Sequence, residues 1–247
     1  MINEKYTERW RKKCGYFRQH IDNPNNNSEY LIRVWKKLNI RKQPWIGLIK
    51  MQDNGYFVGP RRGMIMKDYG QSLCPICKPS ATISHTLHGC SVNKNDQTEI
   101  HDYIYIQIYK KVILQYDLKE DWYEVTDSPH MIENHDKSVT VFFNKDIIKK
   151  KDILFVNRPY VCVIDGANKL ILLMDATMGN EKALPQLYMS KIRKYNTLKV
   201  EMKKQYDISK CYIIPVVIST NGLIYQISIN LLKRNYLDIN WVSTIRK

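Results

Sequence analysis

The chain has 247 residues, 44% of them hydrophobic, and carries 39 Lys+Arg against 24 Asp+Glu, a formal net charge of +15. That is enough apolar material for one or two cored domains, and the excess charge favours nucleic acid over membrane as a partner, because phosphates draw Lys and Arg and release counterions on binding. No apolar run approaches the ~18 residues of a membrane span, the polar opening MINEKYTERW is not expected to act as a secretory leader, and the cysteines are not spaced as a disulfide framework.

Residues 1–68 read as a basic helical region. Helices are expected over 4–20 and 29–39, separated by the breaker Asp22-Asn-Pro-Asn-Asn-Asn-Ser28. In the second, Tyr30, Leu31, Val34, Trp35 and Leu38 share one face. Residues 1–50 hold 12 Lys+Arg and 4 Asp+Glu, and Arg9, Arg11, Lys12 and Lys13 lie beside Trp10, Tyr16 and Phe17. Basic residues interleaved with aromatics suit phosphate contact plus base stacking. The same pattern equally describes a helix with an aromatic core face and a solvated charged one. A turn-rich segment around Gly55, Gly59-Pro60 and Gly63 follows.

Residues 69–95 contain the densest chemistry. Cys74, Cys77, His85 and Cys90 are spaced C-x2-C-x7-H-x4-C, three thiols and an imidazole within 17 residues. That is a full tetrahedral ligand set for zinc, and with every position taken by protein the metal is structural. His88 is an alternative fourth ligand. Such a knuckle is also a known module for gripping single-stranded nucleic acid.

Residues 96–247 read as an α/β domain. The stretch 99–116 fits helix or strand by periodicity, and its length favours helix. Ser138–Phe143 alternates as a strand. Tyr160–Asp165 and Lys169–Asp175 are strands joined by the turn Gly166-Ala-Asn168; Glu181–Tyr206 is a long helix, and Lys210–Thr220 a buried strand. The order is helix, three strands, helix, strand, and the crossover sets the last strand parallel to the one before the long helix. Asp175 ends an otherwise apolar strand and must find water, a metal or a partner. Lys191 falls inside the helix's apolar stripe of Leu184, Leu187, Tyr188, Tyr195, Leu198 and Met202, where a lysine either snorkels or pairs; Lys194 lies at the stripe's edge.

The knuckle, His101-Asp102, Arg158-Pro159-Tyr160, Asp175-Ala-Thr177 and Lys191-Ile-Arg-Lys194-Tyr195 occur in a fixed order over roughly residues 30–220. This resembles the C-terminal region of site-specific non-LTR retrotransposon proteins, where a CCHC knuckle precedes a restriction-enzyme-like endonuclease. The resemblance implies a PD-(D/E)xK endonuclease fold, a nuclear location, and DNA as the partner, with RNA a second candidate. It implies nicking of one strand to expose a priming 3′-hydroxyl. Mg²⁺ held by carboxylates would activate water, and Asp175 with Lys191, or Lys194 in its place, would be catalytic. Arg158, His101 and Tyr195 would contact nucleic acid, and in the basic region, from its charge pattern, Arg11, Lys12 and Lys13 are expected to do so. His101-Asp102 matches a family position, although Asp102 equally suits a helix N-cap.

One position departs from the family. Tyr160 stands where an Asp follows the proline. Asp165 cannot substitute: through a turn centred near residue 167, Asp175 lies opposite about 158–159, leaving Asp165 roughly 20 Å away at ~3.3 Å per residue. Glu133 or Asp152 would have to approach from elsewhere in the chain, and nothing in the sequence places them there. The expectation is therefore a nuclease fold with weakened or absent cleavage. A non-cleaving nucleic-acid-binding derivative and a generic zinc-stabilised interaction domain are the alternatives.

Overall fold

The computed structural model describes residues 23–24, 26–27, 67, 72–74, 76–78, 81–82, 85, 89–118, 131–147, 158–219 and 223–235. The expected helices at 4–20 and 29–39, Arg11, Lys12, Lys13, His88, Asp152 and the boundary between residues 68 and 69 lie outside them.

Among the described residues the chain is α/β. A short strand β1 (Asn26–Asn27) is followed by helix α1 (Lys94–Gln115), β2 (Met131–Glu133), β3 (Val139–Phe143), β4 (Val161–Asp165), β5 (Leu170–Gly179), α2 (Leu184–Tyr206), β6 (Lys210–Ser219), β7 (Ile224–Tyr225) and α3 (Gln226–Arg234). The strands form one mixed sheet in the order β1-β7-β6-β5-β4-β3-β2. β2 to β5 are an antiparallel meander, and β6 runs parallel to β5 after the α2 crossover. The expected order of helix, three strands, helix and strand is present. β1, β2, β7 and α3 are additions that the sequence reading did not foresee, and β1 falls inside the segment read as a breaker.

β4 is buried along its whole length, so its residues feed two cores. Val161 and Val163 join Leu172, Met174, Val216, the α1 residues Ile104, Tyr105, Ile108, Tyr109 and Val112, and Ile229 and Leu232 of α3. Cys162 and Ile164 join Ile171, Leu173, Ile213 and the α2 residues Tyr195, Leu198 and Met202. The alternation of a strand thus assigns neighbouring residues to opposite faces, and α1 and α3 cover one face while α2 covers the other.

The ends of α2 follow ordinary chain chemistry. Asn180 Oδ1 accepts from Ala183 N at 2.9 Å, capping the 3-10 turn Glu181–Ala183 that leads in. Pro185 occupies the first turn, where its missing N–H costs nothing. The helix stops at Asp207, in left-handed conformation with its N–H on Lys203 O, and Lys203 and Lys204 complement the negative end of the helix dipole.

The β4–β5 register pairs Val161 with Met174 and Asp165 with Leu170. One step beyond the first pair stand Tyr160 and Asp175, within a residue or two of the register expected from the turn. Asp165 is at the other end. It accepts from Asn168 N and Nδ2 at 2.8 Å each, so it closes the turn and takes no part near Asp175.

Candidate functional site

Two sites are built by these elements. The first is the cysteine–histidine group ahead of α1. The ligand atoms of Cys74, Cys77, His85 and Cys90 all lie within 4.8 Å of one another, a group that could hold a metal ion. Cys77 Sγ is 3.1 Å from His85 Nε2, and Cys74 Sγ is 3.8 Å from Cys90 Sγ. The chain is folded back on itself to do this: Lys78 N donates to Cys74 O at 3.0 Å and Ala81 N to Ser72 O at 2.8 Å. Thr82 Oγ1 accepts from His85 N at 3.0 Å, fixing the histidine's backbone. Gly89 leaves room for the imidazole, since a Cβ there would stand 3.1 Å from His85 Nδ1.

The thiols are electrostatically unequal. The backbone N–H groups of Cys77 and Ile76, then His85, bring Cys74 down to about 6. Burial, then the neighbouring Cys74 and Cys90, push Cys77 up to about 11. One thiolate therefore forms readily and resists a second beside it. A bound cation removes that resistance.

The second site is centred on Asp175, whose side chain is 1% exposed. Lys191 Nζ of α2 donates to its Oδ2 at 2.8 Å and Lys194 Nζ at 3.3 Å. Tyr195, on the same turn of helix, donates its hydroxyl to Oδ2 at 2.7 Å, with Arg158 O a second acceptor at 3.3 Å. Burial raises the Asp175 pKa. The charge and hydrogen bond of Lys191, the Tyr105 hydroxyl and the charge of Lys194 outweigh it and hold the carboxyl below its ordinary 3.8.

Tyr105 is the member that sequence reasoning missed. β5 runs on through Asp175–Gly179 after its pairing with β4 has ended at Met174. The Tyr105 hydroxyl fills the gap from α1: it accepts from Ala176 N at 2.9 Å and donates to Asp175 Oδ1, with Ala176 O at 2.6 Å as the alternative acceptor. A phenol has one proton, and the charged oxygen is the stronger acceptor. Burial and the Asp175 charge raise the Tyr105 pKa far beyond any physiological pH. The signal that could have found it is a tyrosine on a helix due to pack against the strand carrying Asp175, but only the observed end of β4 shows what it must satisfy.

Tyr160 lies flat on Tyr105, ring centroids 3.4 Å apart and planes at 6°, and the edge of His101 meets both rings. The place beside Asp175 is therefore aromatic. His101 Nδ1 is 3.4 Å from Asp102 Oδ1, and burial chiefly lowers the His101 pKa. Asp102 is no N-cap, because α1 begins at Lys94 and carries Asp102 in its interior. Arg158 is exposed, its Nε donating to Asn144 O at 2.8 Å and Oδ1 at 2.9 Å. Tyr195 is fully buried, so it serves the carboxylate and has no surface with which to contact nucleic acid. Glu133 does not approach either: it sits on β2 opposite Thr140, whose hydroxyl donates to it at 3.1 Å, and β3 and β4 lie between it and β5.

Among the described residues, Cys74, Cys77, His85 and Cys90 are the one group of three or more His, Cys, Asp and Glu side chains close enough to share a metal, and no helix is long and apolar enough to cross a membrane. No protein-family model matches the chain, and no curated protein matches it either.

Proposed function

We propose that the chain is the DNA-binding, restriction-endonuclease-like region of a protein of the non-LTR retrotransposon type, acting in the nucleus, with cleavage weakened or absent. The observation that carries this reading is the contact of Asp175, on the strand before the crossover, with Lys191 on the crossover helix at 2.8 Å. It lies within an α/β core in which α1, β3 to β5, α2 and β6 follow the helix, three-strand, helix, strand order of a PD-(D/E)xK nuclease, with β2 as an extra strand. The weakened cleavage follows from Tyr160, whose ring occupies the place beside Asp175 where a second metal-binding carboxylate is needed.

Zinc is the ion proposed for the knuckle. Two sulfurs each about 2.3 Å from a tetrahedral centre stand about 3.8 Å apart, and Cys74 and Cys90 stand 3.8 Å apart. Four protein ligands leave no open position, so its role is structural. Mg²⁺ would be held by Asp175 if cleavage survives, and that residue alone is a poor site for it.

A nicking assay on supercoiled plasmid in Mg²⁺ and Mn²⁺ tests this. Little or no nicking by the natural chain, with a gain in Tyr160→Asp, is expected. Robust nicking that disappears in Asp175→Asn would establish an intact endonuclease instead. The closeness of Lys191 to Asp175 favours that second reading, since a lysine so placed can neutralise a developing phosphorane charge. DNA binding that ignores salt would remove the nucleic-acid reading altogether.

A further inference from the structure

Resting on the proposed nucleic-acid binding, we infer that the Asp175 site takes a phosphate group directly on Lys191 and Lys194, with Asp175 as their counter-ion and with no metal ion between. A carboxylate offers about four lone-pair directions. Here four donors already point at them: Lys191, Lys194 and Tyr195 on Oδ2 and Tyr105 on Oδ1. On Oδ2 a divalent cation would have to displace one of its three donors, and the direction left on Oδ1 beside Tyr105 would still place it close to two ammonium groups.

The charge balance points the same way. One carboxylate faces two lysines, and among the described residues neither lysine pairs with another acid. Arg158 adds a third cation at the rim. Its main-chain oxygen lies within reach of the Tyr195 hydroxyl, and among the described residues its guanidinium is engaged through Nε, by Asn144, which turns the terminal nitrogens of this exposed side chain toward a ligand. The lysines are reachable, at 18% and 39% exposure, whereas Asp175 at 1% is not. Solvent therefore meets the ammonium groups first. Each ammonium has three N–H donors, and Asp175 takes one from each. What remains suits the non-bridging oxygens of a phosphate, whether internal in a strand or at its end.

Three probes test this on the zinc-loaded chain. The first is anisotropy of a labelled DNA duplex, with and without Mg²⁺ at matched ionic strength. The expected affinity is unchanged by Mg²⁺. The double variant Lys191→Gln/Lys194→Gln is expected to lose about tenfold and to flatten the salt slope by about one, for the one phosphate released. The second compares duplexes with and without a 5′-phosphate. Equal loss on both in the double variant places an internal phosphodiester on the lysines, and loss on the phosphorylated duplex alone places a terminal phosphate there. The third is inorganic phosphate against chloride in a thermal-shift assay, with the shift expected in the natural chain and absent from the double variant. DNA binding that is absent while the phosphate shift persists would sink the nucleic-acid reading and leave this site standing. Affinity that rises with Mg²⁺ and loses that rise in Asp175→Asn would overturn the inference, as would a double variant that binds both probes like the natural chain.

Discussion

A single buried carboxylate sets the local order of this fold. Asp175 is held in its charged form by Lys191, Tyr105, Lys194 and Tyr195, and each of those groups is in turn satisfied by it. Removing one member of a buried, hydrogen-bonded ion pair strands the others, and typically costs about 3–5 kcal/mol. Asp175→Ala is therefore expected to destabilise the chain by about that much in a denaturant titration, and Asp175→Asn by less, because the amide oxygen still accepts. The pH dependence has a definite sign. The folded-state pKa lies below the ordinary 3.8, so this contribution is fully present above about pH 4 and fades as acid protonates the folded carboxyl. Thermal melts taken downward from pH 5 should fall more steeply for the natural chain than for Asp175→Asn. Asp175 and Lys191 were legible in the sequence because each breaks a pattern, an acid ending an apolar strand and a lysine inside an apolar stripe. Tyr105 breaks none: a tyrosine in an Ile- and Tyr-rich helix looks like core, which it also is. Tyr195 misled because its motif position was weighed above its place in the apolar stripe, which already implied the burial observed.

At the scale of elements, the consequential mismatch is between β4 and β5. β5 is 10 residues long and β4 is 5, so the second half of β5 has β6 on one side and no β4 on the other. A buried backbone N–H without a partner costs about 1–3 kcal/mol. Tyr105 meets this need for Ala176 from a helix on the other face. Ser228 Oγ of α3 similarly accepts from Val217 N at 3.3 Å, beyond the stretch of β6 paired with β7. Tyr105→Phe keeps the ring stack on Tyr160 while removing the hydroxyl. It should cost about 1–3 kcal/mol and speed hydrogen exchange at the Ala176 amide. An unchanged exchange rate would show that the phenol is not what protects this amide. The strands were legible by alternation and apolar runs. Their ends were not, because a strand's end depends on where its partner stops, and that is tertiary information. The start of α1 is a milder case: the sequence placed it near residue 99, but the chain leaving Cys90 turns directly into helix, through Ser91–Asn93 to Lys94.

Over the whole molecule, the knuckle and the α/β core are built on different physics. The cysteine–histidine group was legible from Cys74, Cys77, His85 and Cys90, because metal ligation demands particular residue types at short fixed spacing; His88, the alternative ligand, lies outside the described residues. Among the described residues, the core clusters around the sheet draw on residues from Ile104 onward and include none of the four cysteine–histidine ligands, although Cys74 and Cys90 are buried. Metal removal should then act locally. Zinc measured by mass spectrometry is expected at one per chain, falling to background in Cys74→Ser/Cys90→Ser, while the main thermal transition of that variant shifts by only a few degrees. Collapse of the core on chelation would mean that the knuckle carries α1, and through Tyr105 the Asp175 site. The nucleic-acid reading makes a separate demand on the same variant. With a net charge of +15, affinity for DNA should fall steeply with salt, by about 0.9 in the logarithm per phosphate neutralised for each tenfold in salt. If the knuckle contributes to the grip, the metal-free variant should show a shallower slope as well as weaker binding. If it only braces the fold, the slope should stay the same and the lysines beside Asp175 should account for the part of it that mutation can remove.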